Sequence, residues 1–290
     1  KDALTGKDYE VRSKVVINAT GVFTDTIMKM DDAKHESIIS PSQGIHLVVD
    51  KEFLPSNTAI MIPKTDDGRV LFAVPWHDKI VLGTTDTPVN NISAEPIPLQ
   101  EEIEFILKHI GRYLSKDPQL SDVRSMFAGL RPLVKGKSKK TAALSRDHLI
   151  SIGDSGLITI TGGKWTTYRK MAEDVVDISM KTFDLPDKPC ITKELRLKGY
   201  DKSVTPAEII SLNETALKEL IKKSVNEEMC MTVEDFLSRR TRQLLLNATE
   251  AIKAAPLVAK LIAEEMGKDE SWIKEQIDNF NLIANNYLPT

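Results

Sequence analysis

The spacing of hydrophobic and polar positions changes character several times along the chain. In residues 9–19, "YEVRSKVVINA", the two kinds alternate and then merge into a continuous apolar run. That is the pattern of a strand entering a buried sheet. Thr20-Gly21 ends the run, and a short helix is predicted through Met30. Strand-like runs follow at 44–49, 59–62, 70–76 and 80–84, with "DDGR" (66–69) and "WHDK" (76–79) between them as hairpin turns, so a mostly antiparallel sheet is expected. Residues 99–114 switch to helical spacing, with Ile103, Ile106, Leu107 and Ile110 on one face. Strand character returns at 123–132 and 141–145. Residues 148–152 and 157–161 predict a last hairpin that turns at Gly153-Asp154-Ser155-Gly156. A long helix begins near Trp165, with Tyr168, Met171, Ala172 and Val175 along one face.

Beyond residue 190 the texture is helical, at 214–225, 233–246, 248–266 and 271–287, with strand character only at 194–197. Thr232 followed by Asp235 predicts a capping box with Asp in place of the usual Glu. The expected organisation is α+β, with an antiparallel sheet in residues 1–190 and an all-α domain in residues 191–290.

Composition narrows the class without naming it. With 290 residues, 41% of them hydrophobic, the chain can bury one large core or two smaller ones. A net charge of −3 argues against a general nucleic-acid binder. Cys190 and Cys230 form no CxxC cluster, so neither a metal site nor a disulfide framework is expected, which fits a reducing compartment. No apolar run is long enough to span a bilayer. The chain starts at Lys1-Asp2 without an initiator methionine, which raises the expectation that it is a piece of something longer.

Candidate chemistry gathers in a few phrases. "TGGKWTTY" (161–168) resembles a phosphate loop, but Walker A needs a glycine at position 158, which is Ile158. The fourteen glycines contain no G-x-G, so no dinucleotide fingerprint is present. Two glycines that admit a ligand close to the backbone, a lysine and a helix start still favour an anion or a carbonyl oxygen; a plain strand-to-helix turn is the alternative. "SRDH" (145–148) sets Ser, Asp and His side by side, yet strand alternation prevents a local hydrolase triad. Arg131, in the apolar strand "FAGLRPLV", needs an anionic partner, either a substrate or a structural carboxylate. His46 in "GIHLVV" reads first as a satisfied core histidine. The four lysines between residues 133 and 141 read as a solvated loop.

Taken in order, "VVINATG", "PSQGIHLVV", "MIPKTDDGRVLFAVPWHDKIVLGTTDTP", "FAGLRPLV", "KTAALSRDHLI" and "ITGGKWTTYRKMAED" closely resemble FAD-dependent glycerol-3-phosphate dehydrogenase, the respiratory family, with its oxidase relatives. The resemblance runs to about Asp184. It continues more loosely through "TVEDFLSRRTRQLLLNA", which is similar to the family's C-terminal helical domain. It implies a partial FAD-binding fold of the glutathione-reductase-like flavoprotein type, with an antiparallel substrate-binding sheet. The family's G-x-G-x-x-G segment lies upstream of the A-T-G strand, so the resemblance implies a C-terminal fragment, inactive alone.

The resemblance sets Thr20, Gly21, Gly162, Gly163, Lys164, Trp165, Thr166 and Thr167 at FAD. It sets Lys164, Arg131 and Arg146 on glycerol 3-phosphate, and His46 near the reacting carbon; the base that takes the hydroxyl proton stays open. The implied reaction is oxidation of C2 to give dihydroxyacetone phosphate, with electrons passing to a quinone, or to oxygen in the oxidase branch. The resemblance also implies a cytoplasmic protein, peripheral on the inner face of the membrane, and a homodimer. Two other readings are a non-catalytic binding or assembly module and another hydroxy- or amino-acid-oxidising flavoprotein.

Overall fold

The structure is a computed structural model and describes residues 1–63, 65, 66, 68–135, 148–197 and 213–289. It divides into two compact units. One comprises Lys1–Ser42, Pro88–Ile92 and Leu130–Asp201, the other Gln43–Thr87, Ser93–Gly129 and Lys202–Thr290.

In the first unit, β1 (Ile17–Asn18) lies parallel to β9 (Ile158–Gly162), which forms an antiparallel hairpin with β8 (His148–Ile152). The hairpin turns at the predicted residues. The strand expected over 9–19 contracts to two residues, because only Ile17 and Asn18 find a partner, on a strand that arrives much later in sequence. Helices α1 (Thr24–Asp31) and α3 (Tyr168–Thr182) flank this sheet, and Ile158, Ile160 and Val175 form its core with Val15, Ile150 and Met171. The Asp25 carboxylate accepts the backbone N–H groups of Ile38 and Ile39 at 3.0 and 3.1 Å and so ties α1 to the start of β2 (Ile39–Asp50).

The second sheet has the order β3 (Ile60–Ile62), β4 (Leu71–Trp76), β5 (Lys79–Gly83), β2, β6 (Thr87–Pro88), and β7 (Val123–Val134) also pairs with β2. It is antiparallel through β3–β4–β5–β2, as the period-2 runs imply. Ile45, Leu47, Leu71, Ala73, Ile80 and Leu82 alternate onto one face and are buried against Ile103, Ile106 and Ile110 of α2 (Gln100–Ile110).

The tail packs α4 (Glu214–Glu228), α5 (Gln243–Leu246), α6 (Ala248–Met266) and α7 (Glu270–Ala284) around Phe236, Leu244, Ile262 and Phe280. Asn213, Asn247 and Asp269 cap α4, α6 and α7 through their side chains. The Thr232–Asp235 box forms in both directions, at 3.0 and 3.2 Å. Two expectations fail here. Residues 194–197 are not a strand. The helix expected over 233–246 breaks into a π-helical turn at Asp235–Arg240 and the short α5, with Arg242 left-handed at φ 59°. The Thr241 hydroxyl donates to the Phe236 carbonyl at 2.8 Å, which competes with the regular i→i−4 ladder.

Burial separates the two cysteines. It pushes the Cys230 thiol up to about 11, and the Asp235 charge adds to the shift, whereas Cys190 is exposed. Thiolate is the reactive form. Cys190 is therefore expected to react with a thiol reagent in the native protein, and Cys230 only after unfolding. Peptide mapping by mass spectrometry checks this; equal native labelling would contradict it.

Candidate functional site

Parallel pairing decides where the glycine turns of the first unit stand. Ile17 is opposite Ile158 and Asn18 opposite Thr159, so the carboxyl ends of β1 and β9 lie at the same end of the sheet. Gly21 and Gly162 each follow three residues beyond a paired position (Asn18 and Thr159). Thr20-Gly21 and Gly162-Gly163-Lys164 are thus brought side by side at the strand ends where open α/β sheets hold ligands. Buried Asn18 stitches the two strands together. Its amide donates to the Thr24 carbonyl at 3.1 Å and to Thr159 Oγ1 at 3.4 Å, and its oxygen accepts from Thr20 Oγ1 at 2.7 Å.

Glycine is required where these turns are left-handed. Gly21, Gly162 and Gly163 have φ of 61°, 77° and 74°. At Gly163 a Cβ would also crowd the Met171 thioether. Lys164 is extended and exposed, and its N–H donates to Thr167 Oγ1 at 3.1 Å. A single 3₁₀ turn, Trp165–Thr167, leads into the fifteen-residue α3, whose positive dipole end therefore opens beside the glycines. Trp165 is 86% exposed and stacks on Tyr168 at 5.6 Å. Thr161 Oγ1 is buried and has no hydrogen-bond partner among the described residues. Left-handed glycines, a helix start, an exposed aromatic pair and an unpartnered buried hydroxyl fit a flat, anionic, hydrogen-bonding group such as a flavin nucleotide.

Arg131 is half-buried on the part of β7 that belongs to this unit. Arg146, with Ser145, Asp147 and the strand expected over 141–145, lies outside the described residues, as does most of the lysine-rich segment. His148, the first residue of the predicted last hairpin, pairs with Gly162 across it and meets Asp174 of α3 at 3.0 Å. The Lys170 hydrogen bond and charge, with a smaller contribution from His148, hold the Asp174 carboxyl below its usual range. Nothing in the local pattern marks His148, because its partner lies one helix away.

His46 belongs to the second unit. It stands on β2 opposite Gly83, which is opposite Phe72, which in turn pairs with Met61. This row lies on the face of the sheet away from the Ile45–Leu47 core. The His46 ring stacks on Phe127 at 5.3 Å and lies over Gly83, where a Cβ would come within 2.5 Å of Cδ2. The row is apolar where a solvated sheet face would be polar: Phe72 is 40% exposed and Met61 60%. Gly83 and Phe72 carried no signal in the sequence beyond strand period. Among the described residues no group of His, Cys, Asp or Glu could hold a metal ion, and no helix is long and apolar enough to cross a membrane.

This combination is that of an FAD-dependent oxidoreductase, and the family model of that description matches residues 2–169. A second model, the C-terminal domain of alpha-glycerophosphate oxidase, matches residues 195–273. The chain belongs to the FAD-dependent oxidoreductase family. It is 37% identical to the mitochondrial glycerol-3-phosphate dehydrogenase of Bos taurus, covering 96% of this chain and 44% of that protein. To the Arabidopsis thaliana mitochondrial enzyme it is 33% identical, covering 96% and 53%. The glycerol-3-phosphate dehydrogenase of Bacillus halodurans, solved with FAD, superposes with a TM-score of 0.82 at 28% identity, over 99% of this chain and 65% of that one. The chain thus spans about half the length of the curated relatives it matches.

Proposed function

We propose that this chain forms part of an FAD-dependent glycerol-3-phosphate dehydrogenase that oxidises the C2 hydroxyl of glycerol 3-phosphate to the ketone of dihydroxyacetone phosphate. The observation that carries the reading is the pair of glycine turns at the carboxyl ends of parallel β1 and β9, beside the start of α3. Thr20, Gly21 and residues 162–167 would hold the cofactor through backbone and hydroxyl groups. Bound FAD supplies the hydride acceptor. The cationic side chains of Lys164, Arg131 and Arg146 suit a dianionic phosphate, for which arginine offers planar paired donors. His46 is assigned to the reacting carbon, on a sheet face whose neighbours Phe72 and Met61 are apolar. Electrons leave to a quinone, or to oxygen in an oxidase variant. The protein docks peripherally on a membrane and pairs as a homodimer.

The test is dye reduction, with FAD, by the purified native enzyme of which this chain forms part. Turnover is expected with glycerol 3-phosphate, and not with glycerol, a 2-hydroxy acid or an amino acid. Equal turnover with the acids would move the protein to another flavoprotein activity. A colourless protein that neither takes up FAD nor reduces dye would leave the binding-module reading.

A further inference from the structure

The ladder between β2 and β5 ends at His46 and Gly83. One residue before His46, beyond the last residue paired with β5, the Ile45 N–H donates to the side-chain oxygen of Thr85, at 3.1 Å. The same Thr85 hydroxyl donates its proton to Glu102 Oε1 at 2.7 Å. Glu102, on the first turn of α2, is only 2% exposed, and Thr85 1%. Both carboxylate oxygens are occupied: Thr87 Oγ1 also donates to Oε1 at 2.7 Å, while Gln43 Nε2 and the Leu99 N–H donate to Oε2 at 2.8 and 3.1 Å. A hydroxyl that accepts from Ile45 thus donates to a buried carboxylate, and the two bonds together orient it.

We propose that Glu102 and Thr85 are positioning residues for His46. The carboxylate orients the Thr85 hydroxyl, the hydroxyl extends the β2 ladder by one bond, and that bond sets the backbone from which the imidazole rises between Phe127 and Gly83. The inference rests on the assignment of His46 to the reacting carbon.

The experiment is a mutant cycle in the native flavoenzyme. Thr85→Val is expected to lower kcat about 10- to 100-fold with KM within about twofold, as a misplaced reacting group does, and Thr85→Ser to restore most of it. In a His46→Asn background Thr85→Val is expected to cost less than about twofold further, the non-additivity of two changes that act through one group. Thr87→Val removes a donor from the same oxygen without touching Ile45. It is expected to lower the melting temperature comparably while kcat stays within about twofold. An unchanged kcat in Thr85→Val, or the same loss in both backgrounds, overturns the inference. If His46→Asn alone leaves kcat unchanged, the assignment of His46 fails separately. The inference is then decided by the His46 ring resonance in ¹⁵N-histidine-labelled protein: displacement by Thr85→Val but not by Thr87→Val supports it, and no displacement overturns it. Should Thr85→Val fail to fold, Glu102→Gln, whose amide cannot accept from all four donors, is read on the same criteria.

Discussion

Replacing Arg131 by alanine is expected to raise KM for glycerol 3-phosphate by about 10- to 100-fold, with flavin content within error of the parent. The magnitude follows from a charge-assisted hydrogen bond to phosphate, worth roughly 1.5–3 kcal/mol, at about 1.4 kcal/mol for each factor of ten. Arg131→Lys is expected to recover only part of the loss, because an ammonium cannot reproduce the paired planar donors of a guanidinium. Arg131 is half-buried on β7, so its removal also costs packing. The melting temperature measures that cost independently of substrate. Steady-state kinetics with a dye acceptor decide the matter: an unchanged KM removes Arg131 from the phosphate site.

Gly83→Ala is the second change with a large expected effect. A Cβ at this position would stand 2.5 Å from His46 Cδ2 and 2.8 Å from the Ile45 carbonyl oxygen. The ring could swing away. The carbonyl could not without disturbing the β2 ladder, so both must shift. Overpacking of this kind costs about 1–3 kcal/mol. The displaced imidazole is expected to lower kcat by about 100-fold, the penalty of a misplacement near 1 Å. If Gly83→Ala keeps the parent kcat while melting earlier, His46 does not serve the reaction from this position.

Where local chemistry settles structure, the sequence was sufficient to read it. Residues 248–266 form α6 to the residue, because Asn247 caps one end and Gly267, at φ 63°, closes the other. The hairpins around "WHDK" and Gly153–Gly156 follow from turn residues between period-2 runs. Gly162-Gly163 were legible as a turn into a helix that admits a ligand close to the backbone, but their left-handed φ values were not.

What escaped depends on partners distant in sequence. Residues 9–19 carry the pattern of a long strand, but pairing with β9 reaches only Ile17 and Asn18. No glycine or proline announces the break at Arg242; it comes from a threonine hydroxyl turned back on its own helix. Glu102 reaches back to its own helix start without the usual Ser or Thr at the cap, so the sequence signature of a capping box is absent while half of its hydrogen bonding is present. His148 was legible as a residue and not as a pair, since Asp174 is reached only through the packing of α3 on the hairpin.

The pairing of β1 with β9 also has a consequence in time. It joins residues 141 positions apart, Asn18 to Thr159, whereas β4 and β5 meet across a two-residue turn. Pairings of such long separation form late, after the local hairpins have closed. On a ribosome, Gly21 waits for Gly162 to be synthesised before the two turns can stand together. A nascent chain arrested before β9 would therefore carry a folded β4–β5 hairpin with Thr20-Gly21 still unpaired, and cofactor capture would mark the end of the assembly of this unit rather than its beginning.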